Sequence, residues 1–241
     1  MQTEIAHVKE NGADNTDNKI SHSNSLGMVS LLIMMASLSL IQGLPAFFFT
    51  LGLPAILRDN GASLDVIGLT YVVWLPLALK WIWAPALDNP YARPFGSRRG
   101  WLKALTLILA GSFALVAFFP PTGKVWPLLV LSLICSALGA TIQIVLAAWL
   151  IENTSSKQRA IINSVGVAAL VLGGVLGAGM ILQLNELFSW KIAVWSVSFA
   201  IILLSLPVWL MRWRSVQRKI SSVSDDRIKP IDAWKSFFLK P

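Results

Sequence analysis

Six apolar windows follow one another along the chain, and short polar segments separate them. The windows cover residues 26–50, 65–87, 101–119, 126–151, 160–184 and 190–211. Each reaches the roughly 20 residues that an α-helix needs to cross the hydrocarbon of a bilayer. Alternating strands of about ten residues, which would indicate a membrane barrel, are absent from the sequence. The pattern predicts an all-α membrane protein with six transmembrane helices, and the short connections make consecutive helices antiparallel.

Polar segments flank the predicted bundle, which covers residues 26–211. Residues 1–25 are rich in Asn and Ser, carry charges of both signs and lack hydrophobic periodicity. Such a composition predicts a disordered tail, on the cytoplasmic side. Residues 212–241 are basic and then weakly amphipathic, which predicts a second cytoplasmic segment.

The composition agrees with a membrane protein and excludes several other classes. Hydrophobic residues make up 55% of the chain and charged residues 13%, against about 25% charged residues in a typical soluble domain. Basic loops on one membrane face explain the net charge of +8, so we expect no nucleic acid as a partner. The two histidines and the single cysteine form no metal-ligand pattern, and we expect no metal or other cofactor.

The distribution of Lys and Arg predicts the orientation in the membrane. If the N-terminus is cytoplasmic, most of the 20 basic residues fall in cytoplasmic segments, whereas Arg58, Lys124 and Lys191 fall outside. Positive residues concentrate on the cytoplasmic side of membrane proteins. We therefore expect both termini in the cytoplasm.

Glycine is dense in the fifth window. Gly166, Gly173, Gly174, Gly177 and Gly179 would let another helix backbone approach closely. The pattern predicts either plain structural packing or a sliding contact between helices that move.

Prolines recur in the first two windows. Pro45 and Pro54 are nine residues apart, as are Pro76 and Pro85. A proline lacks the backbone N–H of a regular helix, so it frees a carbonyl group and bends the helix. Bent membrane helices are tolerated where they line a cavity or water, and they are common in transporters without being specific to them.

Lys80 lies inside the second apolar window. It precedes Asp88, which marks the cytoplasmic end of that window, by about 12 Å along a helix axis. A lysine at such a depth costs about 2.5–3.5 kcal/mol on insertion scales. Two interpretations stay open: the side chain extends back to the cytoplasmic interface, or it faces the bundle interior to bind an anion or a carboxylate elsewhere.

The loop after the second window resembles the signature loop of the major facilitator superfamily, in which an Asp precedes a Gly and a basic cluster. The likeness is closer to the muropeptide-permease and siderophore-permease-like branch, and it covers about residues 28–210. It is carried by "QGLPAFFFTLGLPAILRDNGASLDVIGL" (42–69), "LPLALKWIWAPALD" (75–88) and "RPFGSRRGW" (93–101). The resemblance implies the N-terminal six-helix half of a transporter, with residues 212–241 starting the linker to a second half.

The resemblance also implies a cytoplasmic gating loop. Its members by matching position are Asp88, Arg93, Gly96, Arg98 and Arg99, with Glu152 on the fourth helix as the acid that they contact. Such contacts would hold in the outward-open state and break in the inward-open state. The chain departs from the family pattern at Asn89 and Ser97, where basic residues are usual.

The expected binding residues are the polar groups of the apolar windows, Gln42, Lys80 and Gln143. In the fourth helix this branch often has two acids, whereas "ATIQIVLAAW" offers Gln143 and Ala147, which puts proton coupling through this helix in doubt. Gln143 could bind substrate or only a neighbouring helix. The resemblance favours import of an iron–siderophore chelate across the bacterial inner membrane, with a muropeptide as the alternative substrate.

Two other functions remain as alternatives. A non-transporting module, either an inactive half or a subunit used only for assembly, fits the presence of six windows where the family carries about twelve. The same shortage of windows would also fit a protein that pairs with a second six-helix half. An intramembrane enzyme is disfavoured, because Asp88 and Glu152 are the acids near the inner ends of windows two to five and no nucleophile–histidine pattern accompanies them.

Overall fold

The computed structural model of the protein describes residues 27–88 and 98–210. Within these ranges the chain is helical and contains no strand, and six helices are long and apolar enough to cross a membrane. Their bounds are α1 Gly27–Asp59, α2 Leu64–Ile82, α3 Arg98–Leu115, α4 Trp126–Asn153, α5 Ser156–Leu187 and α6 Trp190–Leu210. The predicted fold class is therefore confirmed, whereas the predicted tails at 1–25 and 212–241 lie outside the described residues.

Helix α1 continues beyond the end of its predicted window at residue 50. A π-helical segment, Phe48–Gly52, precedes Pro54, and the backbone N–H of Leu53 donates to the carbonyl of Phe48. This wider turn accommodates a proline whose missing N–H would otherwise interrupt the helix. The helix ends at Asp59, and two residues later Gly61 adopts a left-handed φ of 75°. The amide of Ala62 then reaches the carbonyl of Leu57, as in a Schellman motif.

Helix α2 departs from α geometry near both of its prolines. The 3₁₀ segment Thr70–Trp74 precedes Pro76, and a second 3₁₀ segment, Lys80–Ile82, precedes Pro85. After Trp83 the chain continues as the short helix Ala84–Asp88. Pro45, in contrast, lies within the α-helical stretch of α1, so proline alone does not decide where a helix becomes irregular.

The packed side of the bundle joins α3 to α4 and to α6. Phe48, Phe49, Phe113 and Trp190 form an aromatic cluster there, and the Phe48 and Phe113 rings meet edge to face with centroids 5.5 Å apart. The Trp190 indole donates a 3.1 Å hydrogen bond to the Val116 carbonyl. The Ser198 hydroxyl, also on α6, donates to the Ala110 carbonyl at 2.8 Å.

Helices α1 and α5 approach closely through glycine. A Cβ at Gly173 would lie 2.6 Å from the Leu40 carbonyl oxygen, and one at Gly177 would lie 2.8 Å from the Leu44 Cα. Gly166 and Gly174 likewise face α1 side chains, Met35 and Phe47. The predicted close approach of a helix backbone is confirmed at Gly173 and Gly177, whereas Gly166 and Gly174 make room for side chains.

The same prediction was wrong for Gly179, which has no neighbour within 4 Å of an added Cβ. Gly179 follows Gly177 by two residues, which is about 200° around an α-helix. It therefore points away from the side of α5 that packs on α1.

The outer surface of the bundle is apolar. Only 11% of the apolar window of α2 is buried in the bundle, against 56% of the window of α1. Large hydrophobic side chains such as Trp81 and Phe199 are more than half exposed. A surface of this kind is expected where lipid surrounds the chain, and the protein is a multi-pass membrane protein.

Candidate functional site

A cavity of about 400 Å³ lies among α1, α2, α4 and α5. None of the residues that line it belongs to α3 or α6. Its lining residues are Met35, Ser39, Gln42, Lys80, Gln143, Leu146, Ala147, Leu150, Asn163, Gly166, Val167 and Leu170. The three residues predicted to bind substrate, Gln42, Lys80 and Gln143, are thus brought to one cavity by three different helices.

Lys80 and Gln143 contact each other across the cavity wall. The Lys80 ammonium donates a 3.0 Å hydrogen bond to the Gln143 side-chain oxygen, and both side chains are half-buried. Lys80 is the first residue of the second 3₁₀ segment of α2, and Gln143 lies within the regular helix α4. The lysine amine therefore meets a polar partner inside the bundle.

Gln42 is almost fully buried, at 5% exposure, on α1. Its amide nitrogen donates to the Leu38 carbonyl of its own helix at 3.2 Å. A carboxamide has two N–H donors and one acceptor oxygen, so further hydrogen-bonding capacity remains at this position.

A smaller cavity of about 60 Å³ adjoins the first one, and Gln42, Gln143 and Leu170 line both. Aromatic side chains from α1 and α2 contribute to its wall, namely Phe47, Phe49 and Trp74. The site therefore combines a polar region around Lys80 with an adjoining aromatic region.

The charge of the cavity is positive. Among the described residues that line either cavity, Lys80 is charged and neither Asp nor Glu occurs. Neutral hydrogen-bonding groups complete the polar set. A lysine inside a membrane span costs about 2.5–3.5 kcal/mol, and a neutral amide partner leaves its charge uncompensated.

Three further polar residues of the cavities were missed from the sequence. Ser39 precedes Gln42 by three residues and Ser136 precedes Gln143 by seven, so each shares a helix face with a predicted residue. The Ser136 hydroxyl donates to the Val73 carbonyl in the first 3₁₀ segment of α2. Asn163 enters from α5, which no spacing within the sequence connects with the other members.

The predicted gating residues are only partly described. Asp88 ends the short helix after α2, Arg98 and Arg99 begin α3, and Glu152 lies in the last turn of α4. Arg93 and Gly96 lie outside the described residues. The gating role of all these residues stays a prediction.

The turn between α4 and α5 has its own stabilising contacts. The Arg159 guanidinium donates to the Ile151 and Thr154 carbonyls at 3.1 and 3.0 Å, which satisfies the C-terminal end of α4. Ser155 and Gln158 form a capping box at the start of α5. Arg159 thereby joins the ends of two of the helices that line the cavity.

Comparison with known proteins identifies the family. The sequence matches the Major Facilitator Superfamily over residues 28–241. The chain belongs to this superfamily, a class of membrane transporters. The six apolar helices within the described ranges agree with that membership.

Similar proteins occur in several bacteria. An Escherichia coli protein named anhydromuropeptide permease is 26% identical over 68% of this chain and 34% of its own length. A Rickettsia prowazekii protein named "Putative transporter AmpG 3" is 32% identical over 66% of this chain and 39% of its own length. An uncharacterized Haemophilus influenzae protein is 28% identical over 70% of this chain and 40% of its own length.

The chain thus spans well under half the length of these relatives. The expected likeness to the N-terminal part of the muropeptide-permease branch is confirmed. The expectation of a siderophore chelate as substrate finds no support among the relatives, whereas the muropeptide alternative agrees with the name of the E. coli protein. Relatives named as permeases also favour transport over catalysis.

Proposed function

We propose that this chain is the N-terminal six-helix part of a secondary transporter that moves a muropeptide across the bacterial inner membrane. The cavity among α1, α2, α4 and α5 carries the proposal, because polar groups on otherwise apolar spans mark substrate pathways. The name of the E. coli relative supports the substrate class.

The size of the cavity indicates how much of the substrate this part would hold. Pockets for drug-sized ligands measure about 300–1,000 Å³, and a muropeptide, which joins sugar to peptide, is larger than such ligands. The cavity of about 400 Å³ would therefore enclose one portion of it. A second six-helix half would complete the binding site from the opposite side, as in transporters built from two related halves.

In this proposal Gln42, Lys80 and Gln143 bind the substrate. Lys80 supplies charge, and the two carboxamides supply donors and acceptors that suit peptide and sugar groups. Intramembrane acids are the usual proton carriers of transporters, and the described lining residues include none. Proton coupling would therefore use groups outside the described cavity.

The proposal places both termini and the 89–97 loop in the cytoplasm. Asp88, Arg93, Gly96, Arg98 and Arg99 would then form a gate with Glu152. Reporter fusions at residues 1 and 241 test this orientation, and cytoplasmic signals at both ends are expected. Signals on opposite faces of the membrane would contradict an even number of spans.

Binding to the purified chain tests the substrate class. A ligand that binds only the folded state raises its stability by RT ln(1 + [L]/Kd). We expect anhydromuropeptide to raise the melting temperature in detergent and a ferric siderophore to leave it unchanged. Stabilisation by the siderophore alone would contradict the proposal.

Uptake of labelled muropeptide separates a transporting chain from an inactive half. The assay uses cells that lack their own muropeptide permease and express residues 1–241, with and without a separately expressed second half. Uptake that needs the second half is expected. Binding without uptake in either case would show that the chain is a non-transporting module.

A further inference from the structure

We propose that Lys80 and Gln143 form a subsite for one carboxylate group of the substrate. The carboxylate would take the position on the Lys80 ammonium that the Gln143 side-chain oxygen holds in this structure, 3.0 Å from the nitrogen. This inference rests on the proposed function, because it names the group of the transported molecule that the cavity recognises.

Charge is the first argument for this subsite. A charged group partly withdrawn from water is stabilised by an opposite charge, and the half-buried Lys80 instead meets a neutral amide. Among the described lining residues neither Asp nor Glu is present to compensate it. An anionic ligand would supply the missing charge, and it would be drawn toward the one lysine of the described wall.

Shape is the second argument. A carboxamide and a carboxylate have the same planar outline, so the Gln143 oxygen that accepts the Lys80 hydrogen bond marks a place where a carboxylate oxygen fits. Once displaced, Gln143 can turn its amide nitrogen to donate to the second carboxylate oxygen. One ammonium and one amide match a single carboxylate, whereas phosphate groups are usually held by Arg or by several cations.

The position of the pair on two helices gives binding a structural consequence. Lys80 belongs to α2, at the start of a 3₁₀ segment between two prolines, and Gln143 belongs to α4. A carboxylate would replace the direct α2–α4 hydrogen bond by two bonds through the ligand. The substrate would thus change the contact between an irregular helix and a regular one.

The test compares ligands that differ only at the carboxyl group. The two pairs are anhydromuropeptide with its fully amidated form, and N-acetylphenylalanine with N-acetylphenylalaninamide, which also suits the aromatic wall. Their affinities for the purified full chain are measured by titration calorimetry. We expect wild type to bind the carboxylate of each pair at least tenfold more tightly than the amide.

Variants then test whether Lys80 and Gln143 produce the preference for the carboxylate over the amide. Lys80→Met should remove the tenfold preference by weakening carboxylate binding alone, and Lys80→Arg should keep at least part of it. Gln143→Glu places a carboxylate beside Lys80 and should also abolish the preference. Lys124→Met is the matched control, because Lys124 is exposed in the α3–α4 loop away from the cavity, and the preference should persist.

Each outcome decides the inference. A preference that survives in both Lys80→Met and Gln143→Glu would overturn it, as would equal affinity of wild type for both members of each pair. Binding of N-acetylphenylalanine with the expected variant pattern, together with no binding of either muropeptide form, would retain the subsite and contradict the muropeptide proposal. If Lys80→Met does not fold, Gln143→Glu decides alone.

Discussion

The α3–α6 contact and the α2–α4 contact are both bridged by hydrogen bonds, but the bonds are of different kinds. On α6, Trp190 and Ser198 are buried. Ser198 donates to the Ala110 carbonyl of α3, and Trp190 donates to the Val116 carbonyl in the 3₁₀ turn that follows α3. Lys80 and Gln143 are half-buried, and their side chains bond to each other at a cavity wall. Helix α3 is α-helical up to Leu115, whereas α2 alternates between α and 3₁₀ segments.

This difference separates bonds that fix the fold from a bond that a ligand can exchange. A buried side-chain donor on a backbone carbonyl has no space around it for a competing partner, and loss of that carbonyl would leave the donor itself unsatisfied. A side-chain pair beside a cavity can change partners without moving a helix. The packed side therefore holds the bundle together, and the cavity side leaves space around its side-chain hydrogen bond.

Truncation of a leucine to alanine should give the largest difference in stability between the packed side and the cavity side. Leu109→Ala on the packed side should lower the free energy of unfolding by about 2–5 kcal/mol, because the side chain is fully buried and leaves a cavity. Leu77→Ala is the matched change on the cavity side, where the half-buried side chain already borders open space, and should cost about 1 kcal/mol. Denaturant titration in detergent measures the free energy of unfolding of both variants. Equal losses would contradict the proposed difference between the packed side and the cavity side.

A methyl group added to α5 should test the close α1–α5 contact. Gly173→Ala should destabilise the protein by about 1–3 kcal/mol, because its Cβ would meet the Leu40 backbone. Gly179→Ala, on the same helix, meets nothing and should raise stability by up to about 1 kcal/mol. Thermal unfolding of the two variants is the measurement. If both variants were destabilised, the close contact with α1 would not explain the effect, because only Gly173 makes that contact.

Removal of one hydrogen bond between α6 and α3 should test how much such a bond stabilises the packed side. Ser198→Ala should lower stability by about 0.6 kcal/mol and at most about 1.7 kcal/mol, the range found for such bonds in membrane proteins. Ser196→Ala is the control, since its hydroxyl bonds to the Ile192 carbonyl of its own helix. If Ser196→Ala lowered stability more than Ser198→Ala in the same unfolding assay, the hydrogen bond from Ser198 to Ala110 would not be what stabilises the α3–α6 contact.

Loss of the Lys80 bond should have the smallest effect on stability. Lys80→Met breaks the contact with Gln143 but also removes a charge from the membrane span, so the two effects should cancel to within about 0.5 kcal/mol. The variant is compared with Lys124→Met by thermal unfolding. A strong destabilisation would mean that this bond fixes the fold, as the Ser198 bond does.

The sequence was informative about which segments span the membrane and which polar residues lie in them. Apolar length alone located the six helices, and the rarity of charge within them singled out Lys80. Gln42 and Gln143 followed from the same rule, and the structure places all three at one cavity. The helix predictions succeeded because the bilayer imposes a length and excludes unpaired polar groups, and the binding role of the three polar residues stays a prediction.

The remaining features depend on which helices are neighbours. Asn163 reaches the cavity from α5, and the position of Gly179 became evident only once α1 was placed against one face of α5. The two "GLPA" stretches differ in structure, because residues 43–46 are α-helical throughout whereas residues 52–55 begin in the π segment Phe48–Gly52, so this motif alone does not decide the backbone geometry.

The most direct test is whether the side chain at position 80 faces a water-accessible cavity or lipid. In a Cys135→Ala background, Lys80→Cys is treated with a charged, water-soluble thiol reagent, and Trp81→Cys serves as the lipid-facing control because Trp81 is 55% exposed on the outer surface. The account predicts rapid labelling at position 80, protection by a carboxylate ligand and little labelling at position 81. Labelling at position 80 only by lipid-soluble reagents would contradict it.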